Sequence, residues 1–352
     1  MHLLLIGYLG ANNLGDECML RQFLMLFEPY RNVSFTILSY GANYDSDRIT
    51  TYRIPFAPET RRQEYAKVLS GVDAVIWVGG TCFTDFDGDG AFGMLIRARL
   101  LRKKFYYCGV ATDRLTSAAR MLKAVLAMHL CHGIIFRDQF SLNFSKRWLV
   151  SDHKVSVGED LGTLYLSEQR RKYACDAQNI VVSWRELKKN VGDATQSGMI
   201  ELLAIFLVEF SRRQDKPLVI FNTDEFMDKD VHDALIRNLQ RQEFSNYRYY
   251  EDTCLDEKLE LISRAYCVIT ARLHTAVAAH VLGKPAVVCN YSQKIIEFAA
   301  GKPSVMMLSL SMIELKDVDR FLATVQDGIT GNIRNETESV YTRFAQSLYN
   351  PD

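Results

Sequence analysis

Short apolar runs, each too brief for a buried helix, recur along this chain with longer stretches of helical period between them. Residues 2–8 (HLLLIGY), 33–39, 74–79, 105–110 and 133–137 read as strands, and 179–184 (NIVVSW), 217–222 (PLVIFN), 267–270 and 285–290 repeat the pattern. Helices are expected at 19–27, 116–131, 198–213, 230–242, 255–265 and 273–282. Continuously apolar strands alternating with helices are the mark of a parallel sheet covered on both faces. The rhythm breaks once, at the polar stretch EQRRKYACDAQ. The pattern therefore predicts an α/β fold of two facing Rossmann-like, doubly wound domains, residues 1–167 and 179–330, joined by a linker at 168–178. Residues 331–352 are expected to supply a C-terminal helix packing back across the domains. In doubly wound sheets ligands sit at the carboxyl ends of the strands, which places the expected site in the interdomain cleft.

Charge narrows the function. Lys plus Arg number 42 and Asp plus Glu number 42 in 352 residues. That balance argues against a nucleic-acid binder, which would carry a strongly basic domain, and leaves room for a small anionic substrate held by a few convergent bases. The eight cysteines form no C-x-x-C pair, and several lie in apolar runs such as AYCVIT and AVVCNY. They read as reduced thiols in a cytoplasmic setting. The opening MHLLLIGYLGANN lacks a basic n-region and a cleavage site, so it reads as a first strand. No run reaches the ~18 apolar residues of a membrane span; peripheral work at the inner membrane face is compatible with that.

Five segments concentrate chemistry at predicted strand ends. Gly7–Glu17 (GYLGANNLGDE) opens the first helix with three glycines, so its backbone N–H groups suit an anion. Asn13 and Asp16 are candidate ligands there, with Asp16 alternatively the helix cap. Val78–Asp85 (VGGTCFTD) places Gly79 and Gly80 where a ligand approaches the backbone closely. The following DFDGDG starts like a calcium loop, but Ile96 occupies the position of the bidentate Glu, which excludes an EF-hand. In Ile134–Ser141 (IIFRDQFS), Arg137 is either half of a buried Arg–Asp pair or an anion donor, with Asp138 capping or orienting. In Val181–Glu186 (VVSWRE), Arg185 has the planar fork that suits phosphate or carboxylate, with a solvated arginine as the plain alternative.

The fifth segment is Thr270–Lys294 (TARLHTAVAAHVLGKPAVVCNYSQK). Arg272 and His274 fall on the turn into a small-residue helix, and Tyr291 and Lys294 follow the next strand. The helix dipole disfavours an imidazolium at His274, and a bound phosphate would counter that, making His274 a candidate general acid. His280, one turn further on, reads as packing. Neither H-E-x-x-H nor paired Cys/His spacing is present, and no metal site is expected.

In this order the segments resemble the polysaccharide pyruvyl transferase family over about residues 1–300. The most specific parts are the opening G-x-x-G-x-x-N-x-G-D-E, FRD-x-x-S, and R-L-H followed by Y-S-Q-K. Thr81 stands where the family usually has a third glycine, and GEDLGTLY around Asp160 follows its acidic segment only loosely. The resemblance implies a GT-B-like fold and transfer of the pyruvyl group of phosphoenolpyruvate to a sugar or a lipid-linked oligosaccharide, as a ketal. It implies His274 as general acid, Arg137 and Lys294 as substrate-anion ligands, and Arg272 and Arg185 lining the same pocket. The N-terminal domain would face the acceptor and the C-terminal domain the phosphoenolpyruvate, with no cofactor beyond that co-substrate. Two other readings share this sequence: a glycosyltransferase with a nucleotide-sugar donor, and a catalytically silent sugar-binding subunit.

Overall fold

The computed structural model describes residues 1–55, 64–65, 67–85, 88–173, 177–188, 192–308, 315–326 and 338–349. The chain divides into two compact units, Met1–Tyr165 with Arg334–Asp352, and Leu166–Ile333.

Unit 1 begins with β1 (His2–Ile6), α1 (Leu14–Met25), β2 (Ser34–Ser39), β3 (Ile49–Arg53), β4 (Ala74–Val78) and β5 (Thr81–Phe83). It continues through α2 (Phe92–Leu100), β6 (Lys104–Thr112), α3 (Ala118–Leu130), β7 (Gly133–Phe136), α4 (Gln139–Arg147), β8 (Val155–Val157) and α5 (Leu161–Gln169). The strands form a parallel sheet in the order β3-β2-β1-β4-β6-β7-β8, with β5 paired to the far end of β6. The chain winds outward from β1 in one direction, returns to β4, and winds outward in the other. Such a reversal leaves a crevice at the carboxyl ends of the two central strands. Leu3 and Leu5 pack under one sheet face with Phe23 and Phe27, while Leu4 and Ile6 pack under the other with Leu95 and Phe105. This alternation is why HLLLI has no polar side: both faces are covered.

Unit 2 contains β9 (Asn179–Ser183), α6 (Asp193–Gln214), β10 (Leu218–Phe221), α7 (Lys229–Arg241), β11 (Tyr247–Tyr250) and α8 (Leu255–Ser263). Then come β12 (Ala265–Thr270), α9 (Leu273–Val281), β13 (Ala286–Cys289), α10 (Gln293–Ala299), β14 (Val305–Leu308) and α11 (Leu315–Gln326). Its parallel sheet runs β11-β10-β9-β12-β13-β14, so the reversal falls between β9 and β12. The last helix, α12 (Glu338–Tyr349), belongs to unit 1, where Tyr341, Ala345 and Leu348 are buried against Leu3, Phe27 and Cys108.

Several details differ from the sequence reading. The division between the units falls inside α5, ahead of the polar stretch at 168–178. Leu161, Tyr165 and Leu166 are buried, and apolar burial carries the helix to Gln169 before a 3-10 turn at Arg170–Lys172. Five strands went unpredicted: ITTYR at β3, TCF at β5, VSV at β8, YRYY at β11 and VMML at β14. One helix, α6, is long and apolar enough over Ala194–Gln214 to cross a membrane by length and composition. Half of that window is buried, with Leu203, Leu207 and Phe210 in the core of unit 2. Among the described residues all seven cysteines are free thiols, and Cys175 lies outside them.

Candidate functional site

The residues singled out by sequence fall into two groups, each at the carboxyl edge of one sheet. In unit 1, the loop after β1 leads into α1, whose N-cap is Asn13. The Asn13 side chain accepts from the N–H groups of Gly15 (3.1 Å) and Asp16 (3.4 Å). This corrects the assignment of the cap to Asp16, and it occupies the Asn13 amide with structural bonds. Asp16 lies in the first helical turn, where the dipole favours its charge. A Cβ built on Gly80 would lie 3.4 Å from Asp16 Oδ1, so that carboxylate stands directly beside the strand-end glycines. Gly79 (φ +65°) and Gly80 (φ +72°) both need the left-handed backbone, and a Cβ on Gly79 would meet Met19 Sδ at 2.4 Å. At Gly79 the packing of α1 against β4 requires the absence of a side chain.

Arg137 follows β7 with its side chain 9% exposed. Nη1 donates to Asp160 Oδ2 at 2.7 Å and Nη2 to Thr81 Oγ1 at 3.2 Å. Asp138 caps α4 by accepting from the Ser141 N–H at 2.7 Å. The buried partner of Arg137 is therefore Asp160, twenty-three residues on, and Thr81 at the atypical position supplies a second contact. Asp160 Oδ1 also accepts from the Thr163 N–H at the start of α5. Asp16, Gly80, Thr81, Arg137 and Asp160 thus line one edge with two carboxylates and one guanidinium, a donor and acceptor set matched to hydroxyl groups. Asp85 holds the 116–117 turn through Thr116 and Ser117, so the acidic loop has a structural role there.

In unit 2, Arg185 follows β9 and lies over the Tyr291 ring, 5.5 Å from its centroid, with Nη1 donating to the Tyr291 hydroxyl at 3.2 Å. The ring braces a guanidinium that is only partly buried. Arg272 is the N-cap residue of α9, with no side-chain cap bond to the helix. His274 is the second residue of that helix, and Lys294 is the second residue of α10. Both side chains are half-buried. The start of α9, the Arg185–Tyr291 pair and Lys294 thus all follow strands at the carboxyl edge of the unit 2 sheet, near the β9/β12 reversal.

Arg272 departs from the expected role. Its Nε and Nη2 both donate to Asp228 Oδ1, the former at 3.1 Å. Asp224 Oδ2 stands 4.0 Å away. Burial alone would favour the neutral guanidine, but the two carboxylates outweigh it and hold the proton more firmly. Arg272 is thus largely neutralised from below, and its part is to anchor the turn that aims α9.

The network beneath Arg272 escaped the sequence reading. Asp228 Oδ2 accepts from the N–H groups of Thr223 (3.1 Å) and Asp224 (3.0 Å). His232, fully buried, accepts from the Trp184 N–H at Nε2 (2.8 Å) and meets Asn222 Oδ1 at Nδ1 (2.6 Å). Because an N–H must donate to Nε2, the proton is on Nδ1. Burial, reinforced by the Arg272 charge, pushes the imidazole down to about 3, so His232 is neutral. The hydroxyls of Ser183, Thr223 and Thr275 form a buried triad under the start of α9. The signal was present: NTDEFMD follows PLVIFN at the same carboxyl edge as every other singled-out segment. His280 bonds Ser304 (2.6 Å) and packs its ring edge on Phe298. Among the described residues no three His, Cys, Asp or Glu side chains are grouped to hold a metal ion. A groove of about 480 Å³ between α6 and α7 mixes Lys188, Arg237 and Arg241 with Glu186, Glu201 and Asp230, and offers no single-sign ligand site.

Solved structures of similar fold include UDP-GlcNAc 2-epimerases. The UDP-GlcNAc 2-epimerase of Methanocaldococcus jannaschii matches with a TM-score of 0.66 at 12% identity, over 99% of each chain. The Neisseria meningitidis UDP-GlcNAc 2-epimerase matches at 0.64 and 14%, over 99% of this chain and 100% of that one. At such identity the likeness shows a fold, a GT-B-like pair of Rossmann-like domains, and nothing of activity. The amylovoran biosynthesis protein AmsJ of Erwinia amylovora is 24% identical over 252 residues, 66% of this chain and 60% of that protein. This chain thus spans about three fifths of the length of that curated relative. The family model described as polysaccharide pyruvyl transferase matches residues 13–293, from the α1 cap to the start of α10. With that match over most of its length, the chain belongs to the polysaccharide pyruvyl transferase family.

Proposed function

We propose that the chain moves the pyruvyl group of phosphoenolpyruvate onto two hydroxyls of a sugar in a surface polysaccharide or its precursor, forming a ketal and releasing phosphate. The observation that carries this reading is the placement of His274, the Arg185–Tyr291 pair and Lys294 at one carboxyl edge of the unit 2 sheet, in a member of this family. Phosphoenolpyruvate carries two anionic groups, and two cationic side chains with a helix N-terminus form a matching set.

The reaction runs as follows. His274 gives a proton to the methylene carbon, which becomes a methyl group and leaves oxocarbenium character at C2. A sugar hydroxyl adds to C2, the C2–O bond to phosphate breaks, and the second hydroxyl closes the ketal. Of the two hydroxyl protons, one replaces that of His274 and the other leaves with phosphate. Arg185 and Lys294 stabilise the donor's negative charges throughout. Arg272 fixes the turn that carries His274, through Asp228. On unit 1, the Asp16 and Asp160 carboxylates accept hydrogen bonds from the acceptor's hydroxyls, with Arg137 holding Asp160 in place.

The test is phosphate release from phosphoenolpyruvate against a panel of hexose and hexosamine acceptors, comparing the unaltered chain with His274→Ala. Acceptor-dependent release that is lost in the variant supports the reading. Equal release by both proteins removes His274 from the mechanism. Turnover of nucleotide-sugars without binding of phosphoenolpyruvate replaces the donor.

A further inference from the structure

Unit 1 has a second edge that this chemistry leaves unused. In its parallel sheet every helix-to-strand connection lies at the amino ends of the strands, opposite the edge bearing Arg137 and Gly80. The connections entering β6, β7 and β8 are neighbours there because those strands are neighbours. Side chains tie the three together. Arg99 Nη1 meets His132 Nε2 at 3.4 Å, His129 Nε2 meets the Trp148 carbonyl at 3.1 Å, and Lys154 Nζ donates to the His129 carbonyl at 3.0 Å.

Two of these connections repeat one composition. Arg99-Leu100-Leu101-Arg102 ends α2, and Lys146-Arg147-Trp148-Leu149 ends α4. All eight residues are exposed, Leu100 at 78% and Leu149 at 85%. Leu149 and Arg102 also hold left-handed backbone, each at φ 56°. A leucine is a poor occupant of that region, which suits Gly or Asn. The turn closes the end of α4 through the Val150 N–H, which donates to the Ser145 carbonyl at 3.2 Å, and it leaves the Leu149 side chain in solvent. Leu122 and Leu126, one turn apart on α3, are also exposed.

Charge points the same way. The whole chain is neutral, yet the two connections at residues 99–104 and 146–154 carry seven Lys or Arg against one Asp. Nucleic acid would use the bases but not the leucines. Exposed leucine and tryptophan flanked by Lys and Arg is the pattern of an interfacial membrane contact, with tryptophan at headgroup depth and the cations on anionic lipid.

We propose that the amino edge of unit 1 docks on the surface of an anionic lipid bilayer. Leu100, Leu101, Trp148 and Leu149 enter the headgroup layer, and the four flanking bases pair with lipid phosphates. The nine residues of β6 then hold the opposite edge of the sheet about 26 Å along the strand from the lipid, at about 3.3 Å per residue. This surface does not depend on the reaction proposed above, and it stands or falls separately.

The experiment is flotation of the full chain with phosphatidylglycerol-containing vesicles and with pure phosphatidylcholine vesicles, at low and high salt. The chain is expected to float with the anionic vesicles at low salt and to lose most of that binding at high salt. Each base near an anionic surface contributes about fivefold to partitioning. The double variant Lys146→Glu/Arg147→Glu should therefore bind at least about 25-fold more weakly. Leu100→Ser/Leu149→Ser should also weaken binding, and both variants should melt with the parent because every altered side chain is exposed. Absence of flotation by the parent overturns the proposal, as does undiminished binding by the charge-reversed variant. So does a self-association of the chain that these substitutions abolish without any lipid binding.

Discussion

Replacing Asp228 with asparagine tests whether Arg272 is an anchor. The carboxylate is fully buried and takes four hydrogen bonds, two from the Arg272 guanidinium and two from the backbone N–H groups of Thr223 and Asp224. Asparagine keeps the shape but offers one oxygen, so its NH2 must face either the guanidinium or the two N–H groups. Arg272 is 12% exposed and keeps only Asp224 Oδ2 at 4.0 Å as an opposing charge. Breaking one side of a buried ion pair costs about 3–5 kcal/mol. For a unit of this size each kcal/mol lowers the melting temperature by about 2–4 °C, so Asp228→Asn should lower the melting of unit 2 by about 10 °C. Urea unfolding of Asp228→Asn, Arg272→Gln and the double variant forms a double-mutant cycle. The account predicts a coupling of at least about 2 kcal/mol, within the range for contacting residues. A cost under about 1 kcal/mol for Asp228→Asn, or strictly additive effects, would refute the anchoring role.

Two further outcomes follow from the same contacts. His232 is held near 3 when folded, against 6.5 for the free side chain. Its folded value is the lower one, so the unfolded chain binds more protons between those limits, and stability is lost as pH falls below about 6.5. That one group should remove about 2 kcal/mol between pH 7 and pH 5, and His232→Gln should flatten this part of the urea-unfolding profile; an unchanged slope would show that His232 is not buried and neutral. Gly79→Ala must strain the left-handed backbone and push against Met19, for a loss of about 1–3 kcal/mol. Thermal melting should show that loss, and a neutral effect would contradict the packing of α1 on β4.

What could be read from the sequence depended on how local the cause was. β1, β4, β6 and β7 are apolar runs whose burial is written in their composition, and Gly79–Gly80 marks a strand end directly. β3 and β8 are only partly buried because they form the two outer edges of the unit 1 sheet, where each has one neighbour. The cap of α1 moved from Asp16 to Asn13 because the helix begins at Leu14, two residues before the acidic pair. The contacts around Arg137 and Arg272 were the hardest to foresee. Asp160 and Asp228 reach them across 23 and 44 residues of sequence, and only the strand order brings those segments to one edge. A rule applied evenly to every strand end would have included Asn222–Asp228 and placed His232 beside it.

The central claim concerns where the methyl proton of the ketal comes from. In D2O the exchangeable proton on His274 is a deuteron, so carbon protonation must leave one deuterium in each transferred pyruvyl group. The measurement is mass spectrometry of the pyruvylated sugar made from phosphoenolpyruvate in D2O. The account predicts a pyruvyl group carrying one deuterium, with the product lost in His274→Ala. A product without deuterium, or formed equally by the variant, would contradict it.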